Sequence, residues 1–113
     1  MDQARERLEQ ERRRTRERLR ALDGDFDGVV AASRDTNADD EHDPEGATIA
    51  FERAALAALL RQARDGLREI ELALARVADG TYGQCLSCGG PIDPARLEAR
   101  PVARTCIACA ASS

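Results

Sequence analysis

Apolar side chains recur along two stretches of this chain at alternating steps of three and four residues. In the first, Leu8, Thr15, Leu19, Leu22, Phe26, Val29 and Ser33 follow one another by seven, then four, three, four, three and four. That spacing is the seam of a heptad helix. It predicts a helix from residue 2 to about residue 33. Gly24 and Gly28 leave the phase intact, although each costs about 1 kcal/mol relative to Ala in a helix. Residues 23–28 are therefore read as a weak or kinked place in one long helix, with a full break as the alternative. The seam is thin, because Arg occupies position 12. The second stretch is cleaner. Ile49 precedes Leu56 by seven, and Leu60, Ala63, Leu67, Ile70, Leu74 and Val77 continue the alternation. It predicts a helix over 47–79 that ends at Asp79-Gly80, with Gly80 as the cap. At the rise of an α-helix, each stretch is about 50 Å long.

Between them, residues 34–46 lose the periodicity. Asp35, Asp39, Asp40, Glu41, Asp43 and Glu45 stand against one basic residue, Arg34, and Pro44 and Gly46 break helices. An acidic loop is expected here. The plain reading is a solvated connector whose charges precede a helix N-terminus, where the macrodipole favours anions. His42 reads as an exposed bystander. Two matched helices joined by about a dozen residues fold back as an antiparallel hairpin. The predicted class is all-α with a small zinc finger: a coiled-coil hairpin over 1–79, its acidic tip at 34–46, and a head over 80–113. The tip would lie a helix length away from the head. Pairing within one chain uses the seam, so a monomer is expected.

The head carries every cysteine of the chain, as Cys85-x2-Cys88 and Cys106-x2-Cys109 with seventeen residues between the pairs. Two close pairs at this separation supply the four thiolates of a tetrahedral Zn²⁺ site. Four protein ligands leave no open position, so one structural zinc is expected and no hydrolytic centre. Gly83 and Gly89-Gly90 flank the first pair, where positive φ lets backbone N–H groups turn toward sulfur. Pro91 prevents an early helix, and residues 94–99 read as a short helix with Pro in its first turn. Arg96, Arg100 and Arg104 lie between the pairs and would offset the charge of about −2 on a zinc tetrathiolate. The competing reading is two disulfides or a redox C-x-x-C. Met1 is followed by a charged Arg/Glu run in place of an apolar leader, so a cytoplasmic setting is expected, where thiols stay reduced.

Composition narrows the function. Aromatics make up 3% of the 113 residues and Trp is absent, whereas charged residues make up 34%. This suits long exposed helices better than a large core. A net charge of −4 disfavours general binding to a nucleic-acid backbone, which needs a basic face. No apolar run is long enough to span a membrane. There is no nucleophile–base pair to name, so the chain is not read as an enzyme.

The segments Gly80-Thr81-Tyr82-Gly83-Gln84-Cys85, Cys88-Gly89, Ile92, Arg96-Leu97-Glu98-Ala99-Arg100-Pro101 and Cys106-Ile107-Ala108-Cys109 resemble the DksA/TraR zinc-finger proteins, bacterial regulators of RNA polymerase. With the hairpin, the resemblance covers nearly the whole chain. It implies a regulator that binds RNA polymerase through the secondary channel, its coiled-coil tip directed toward the active site. Such a regulator modulates open-complex stability without sequence-specific DNA contact, in several members together with ppGpp. The tip residues implied are Asp39, Asp40, Asp43, Glu45 and Ala47. The family's best-studied tips read acidic-x-x-acidic-x-Ala. Counted back from Cys85, the second acid and the Ala fall on Glu45 and Ala47, and the first acid falls on His42. Shifted by one, Asp43 takes the first acid and Gly46 the second. Basic positions that contact ppGpp in some members fall on Glu69, Arg100 and Ala110. Only Arg100 keeps the charge, as a head contact or nucleotide site. The alternative function is a zinc-stabilised interaction module with a partner other than polymerase.

Overall fold

The computed structural model describes residues 2–36 and 44–112. Its elements are α1 (Asp2–Thr36), α2 (Pro44–Asp79), α3 (Pro94–Ala99) and α4 (Ile107–Ser112). Among the described residues the only β-structure is a single bridge between Gln84 and Pro91. The all-α class and the helical hairpin expected from the heptads are the architecture found. α1 is continuous through Gly24 and Gly28, so the alternative of a full break there does not hold.

Two boundaries differ from the expected ones. α1 runs three residues past position 33, and α2 begins three residues before position 47. Residues 34–36 and 44–46 of the stretch expected as a loop are helical. Pro44 opens α2, where its missing N–H has no intrahelical partner to lose and its φ already suits a helix. A breaker in mid-helix is thus an initiator in the first turn. The tip positions Asp39, Asp40 and Asp43 lie outside the described residues. Glu45 lies in the first turn of α2, and Ala47 is exposed.

The chain packs as two compact units, Met1–Arg14 with Leu67–Ser113, and Thr15–Gly66. The first unit holds a cluster of Leu8, Ile70, Ala73 and Val77, against which Leu74, Tyr82 and Val102 pack. Leu8 is completely buried. Arg7 donates from its guanidinium to the Glu98 carbonyl. In the second unit Leu60 and Ala63 are buried. Asp23 accepts from Arg64 at 3.3 Å in an ion pair whose side chains are about half exposed. Leu8 packs with Ile70, Ala73 and Val77, and Asp23 pairs with Arg64, so a later position on α1 meets an earlier one on α2, which is antiparallel pairing. The seam is visible in the exposure pattern. Leu19, Leu22, Phe26 and Val29 are half-buried, with exposed neighbours such as Arg18, Arg20 and Asp25. No helix among the described residues is long and apolar enough to cross a membrane.

Candidate metal centre

α2 ends where the metal segment begins. Gly80 takes φ of 82°, the left-handed conformation that glycine adopts without a Cβ penalty. The Arg76 carbonyl then accepts from both Thr81 N (2.9 Å) and Tyr82 N (3.1 Å). Asp79 accepts from Thr81 through its N–H (3.0 Å) and its hydroxyl (2.5 Å). These two bonds, the hydroxyl's first, hold the Asp79 carboxyl below the usual carboxylate range. Tyr82 points back into the core and donates from its hydroxyl to the Pro101 carbonyl at 2.9 Å. Burial raises its pKa, opposed by Arg7 and Arg76.

From there the chain forms a tight loop. Ile92 N donates to Gly83 O and Cys85 N to Gly90 O, each at 2.8 Å, and Gly89 N donates to Cys85 O at 2.9 Å. Gly83 and Gly89 have φ of 89° and 76°, as expected from the sequence. Gly90 does not share that conformation. Its N–H instead donates to Cys88 Sγ at 3.4 Å, and a Cβ there would stand 3.4 Å from the same sulfur. Leu86 N donates to Arg104 O at 2.9 Å, and Arg96 Nε to Thr105 O at 2.9 Å. These two bonds bring the second cysteine pair against the first. α3 stands between them, its N-terminus capped by Asp93, which accepts from Ala95 N at 2.9 Å. α4 begins inside the second cysteine pair and runs past Cys109, where almost no helix is expected from the sequence.

The four cysteine sulfurs lie within 4.8 Å of one another. Cys88 and Cys106 Sγ are 3.9 Å apart, about twice a disulfide bond, and all four cysteines are free. Ligands at ~2.3 Å from a tetrahedral centre stand about 3.8 Å from each other. The donor set and spacing therefore fit zinc and no disulfide pairing. Cys85 is buried and Cys88 exposed, with the other two between. Backbone N–H groups, that of Cys88 first, then those of Cys106 and Ser87, lower the Cys85 thiol to about 6. The Cys109 thiol is pushed up to about 12 by its hydrogen bonds to the sulfurs of Cys106, Cys85 and Cys88. Without a cation, four crowded sulfurs cannot all be charged, so one keeps its proton. A divalent ion supplies the charge that replaces that proton.

Arg100 lies exposed on the wall of a 230 Å³ cavity beside this centre, together with Arg96, Arg104, Glu69 and Ala110. The three positions that the resemblance associates with ppGpp thus meet at one place. On α2, burial and the nearby Arg104 lower the Arg76 pKa, opposed by Tyr82 and Asp79. Its Nη2 is buried without a hydrogen-bond partner among the described residues.

An antiparallel helical pair closed by four converging thiolates defines a coiled-coil protein with a C4 zinc finger and one structural zinc ion. Residues 80–113 match the family model of the prokaryotic dksA/traR C4-type zinc finger. A DnaK suppressor protein from Agrobacterium tumefaciens has 33% identity and a TM-score of 0.62, over 99% of this chain and 92% of that one. The transcription factor DksA2 from Pseudomonas aeruginosa has 29% identity and a TM-score of 0.68, over 98% and 80%. The chain belongs to the DksA/TraR family. Two curated relatives carry the name RNA polymerase-binding transcription factor DksA. That of Caulobacter vibrioides is 57% identical over 37 residues, 33% of this chain and 26% of that protein. That of Escherichia coli is 49% identical over 43 residues, 38% and 28% respectively. The matched part therefore spans about a quarter of these relatives' length.

Proposed function

We propose that this chain is a transcription regulator that binds RNA polymerase, acting through the secondary channel with the α1–α2 turn directed toward the active site. In this reading it changes the stability of open promoter complexes and makes no sequence-specific DNA contact. It acts as a cytoplasmic monomer and catalyses no reaction. Residues 1–79 work as the hairpin and 80–113 as a zinc head. The observation that carries the reading is the finger. It matches the family's zinc-finger model, part of this chain matches proteins named RNA polymerase-binding transcription factors, and the fold likeness to family members extends through the hairpin.

Asp39, Asp40, Asp43, Glu45 and Ala47 are the tip residues of this proposal, and Arg100 is the head residue that meets polymerase or a nucleotide. Carboxylates at the tip would act on the charged groups of an active site built for phosphoryl transfer. Zinc's part is structural, since four thiolates leave it no open position. Of the three basic positions that the resemblance associates with ppGpp only Arg100 is basic here, so ppGpp adds little to the effect in this reading, although Arg96 and Arg104 share the cavity. Binding of the chain to purified RNA polymerase, paired with the lifetime of an open complex, tests the reading. The expected result is binding with a shortened lifetime, and binding without shortening in an Asp43→Asn/Glu45→Gln variant. No binding would favour a zinc-stabilised interaction module with another partner.

A further inference from the structure

Within the unit formed by Thr15–Gly66, α1 and α2 leave a groove of 640 Å³ between them. Its floor is apolar, formed by Val29, Ala32, Ile49, Ala55 and Leu56. Phe51 stands at its edge and is 75% exposed, the most exposed large hydrophobic residue among those described. Two of the positions lining it, Gly24 and Gly28, have no side chain. A Cβ at Gly24 or Gly28 would meet nothing within 4 Å. Packing therefore does not require either glycine, and each costs the helix about 1 kcal/mol relative to Ala. What the two glycines provide is open space beside an exposed aromatic ring, the arrangement of an anchor pocket.

Charge says what fits there. The charged residues lining the groove, Asp25 and Glu52, are both carboxylates. Along the chain, residues 23–52 carry ten carboxylates and one Arg. The rest of the chain carries eleven carboxylates and sixteen Arg. A second copy would bring like charge to like charge at this patch. A cationic segment gains from the field and places its apolar side chains on the floor.

We infer that the groove between Gly24, Gly28 and Phe51 is a docking site for an apolar polypeptide segment flanked by Lys or Arg. Resting on the proposed function, that segment belongs to RNA polymerase. The hairpin then grips its partner along its flank as well as acting through its turn. Phe51 and the floor supply affinity, and Asp25 and Glu52 supply the choice of partner.

The experiment measures affinity of the full chain for purified RNA polymerase in three variants. Phe51→Ala removes the exposed anchor, and Gly28→Leu fills the groove with a better helix former. Asp25→Asn/Glu52→Gln neutralises the rim. Phe51→Ala and Gly28→Leu are each expected to weaken binding about tenfold. Gly28→Leu should melt no lower than wild type, which separates lost docking from lost fold. The rim variant should lose the part of the affinity that salt screens. A photoreactive residue at position 51 should cross-link to a polymerase segment with apolar residues among Lys or Arg. Wild-type binding with Phe51→Ala and Gly28→Leu unaffected overturns the docking site and leaves the proposed function standing. So does a cross-link to a second copy of this chain. No binding by the wild type overturns both.

Discussion

Seven of the nine buried apolar residues described, Leu8, Ile70, Ala73, Val77, Cys85, Ile92 and Ala103, belong to the unit built from 1–14 and 67–113. The unit Thr15–Gly66 has two, Leu60 and Ala63. The first unit also holds the turn and loop hydrogen bonds that knit 76–110 together and the four thiolates. In the second, the ion pair between the helices is an exposed one. One unit is stabilised by core and metal, and the other by a half-buried seam. The same two helices run through both, so the contrast comes from what is packed on them, and the helix cost of Gly24 and Gly28 in the second unit adds to it. Helices in proteins owe most of their stability to packing of one face, and isolated ones are marginal. A unit with a thin seam therefore depends on its helices being held elsewhere.

Removing zinc should separate the units most. A structural zinc site contributes on the order of 10 kcal/mol, and without the ion the crowded sulfurs must retain protons. Chelation, or Cys85→Ser, should abolish cooperative melting of the first unit and lower helix content measured by circular dichroism. Unchanged helix content and melting temperature would show that the hairpin stands alone. Acid should act in the same direction. The Cys85 thiol is lowered from 9.0 to about 6, so its contribution is present above the ordinary value and lost as pH falls through about 6. Cys109, raised to about 12, behaves oppositely in the metal-free protein, but bound zinc displaces its proton. Apparent zinc affinity, measured against a competing colorimetric chelator, should therefore fall more steeply once pH drops below about 6, where Cys85 of the metal-free chain also takes up a proton. A flat profile across that window would contradict the assignment.

Next in size is a pair of truncations. Leu8→Ala should cost about 2–5 kcal/mol, as expected of a fully buried leucine. Leu22→Ala, on the half-buried seam of the other unit, should cost about 1 kcal/mol. Urea unfolding of the two variants gives the difference directly, and equal costs would erase the contrast between units. Smallest is Asp23→Ala. Its pair with Arg64 is half exposed, and such pairs contribute about 0–1 kcal/mol. A shift in melting midpoint larger than that would mean the second unit relies on charge where its seam is thin.

The heptad positions were legible in the sequence because each seam residue is fixed by neighbours three and four away. Leu8, Leu60, Ile70 and Val77 are all buried as that pattern requires. Ala73 was not legible. It lies off the seam yet is completely buried, because the first unit packs it with Leu8, Ile70 and Val77 in one cluster. The helix boundaries near Thr36 and Pro44 were missed for a local reason, since Pro is a breaker inside a helix and an initiator at its first position. α4 was missed because six residues are too few to show a period.

The sequence by itself determined the two long helices, the glycine-capped exit from α2 and the zinc ligand set. Each depends on residues a few positions apart, where backbone geometry leaves little choice. The tertiary structure alone decided which faces meet. It closed the cysteine pairs on each other through the Leu86–Arg104 and Arg96–Thr105 bonds. It gathered Glu69, Arg100 and Ala110 at one cavity, and it opened a groove beside Phe51 over two glycines. Those arrangements join residues far apart in the chain, and their energies come from burial and contact that no local spacing encodes.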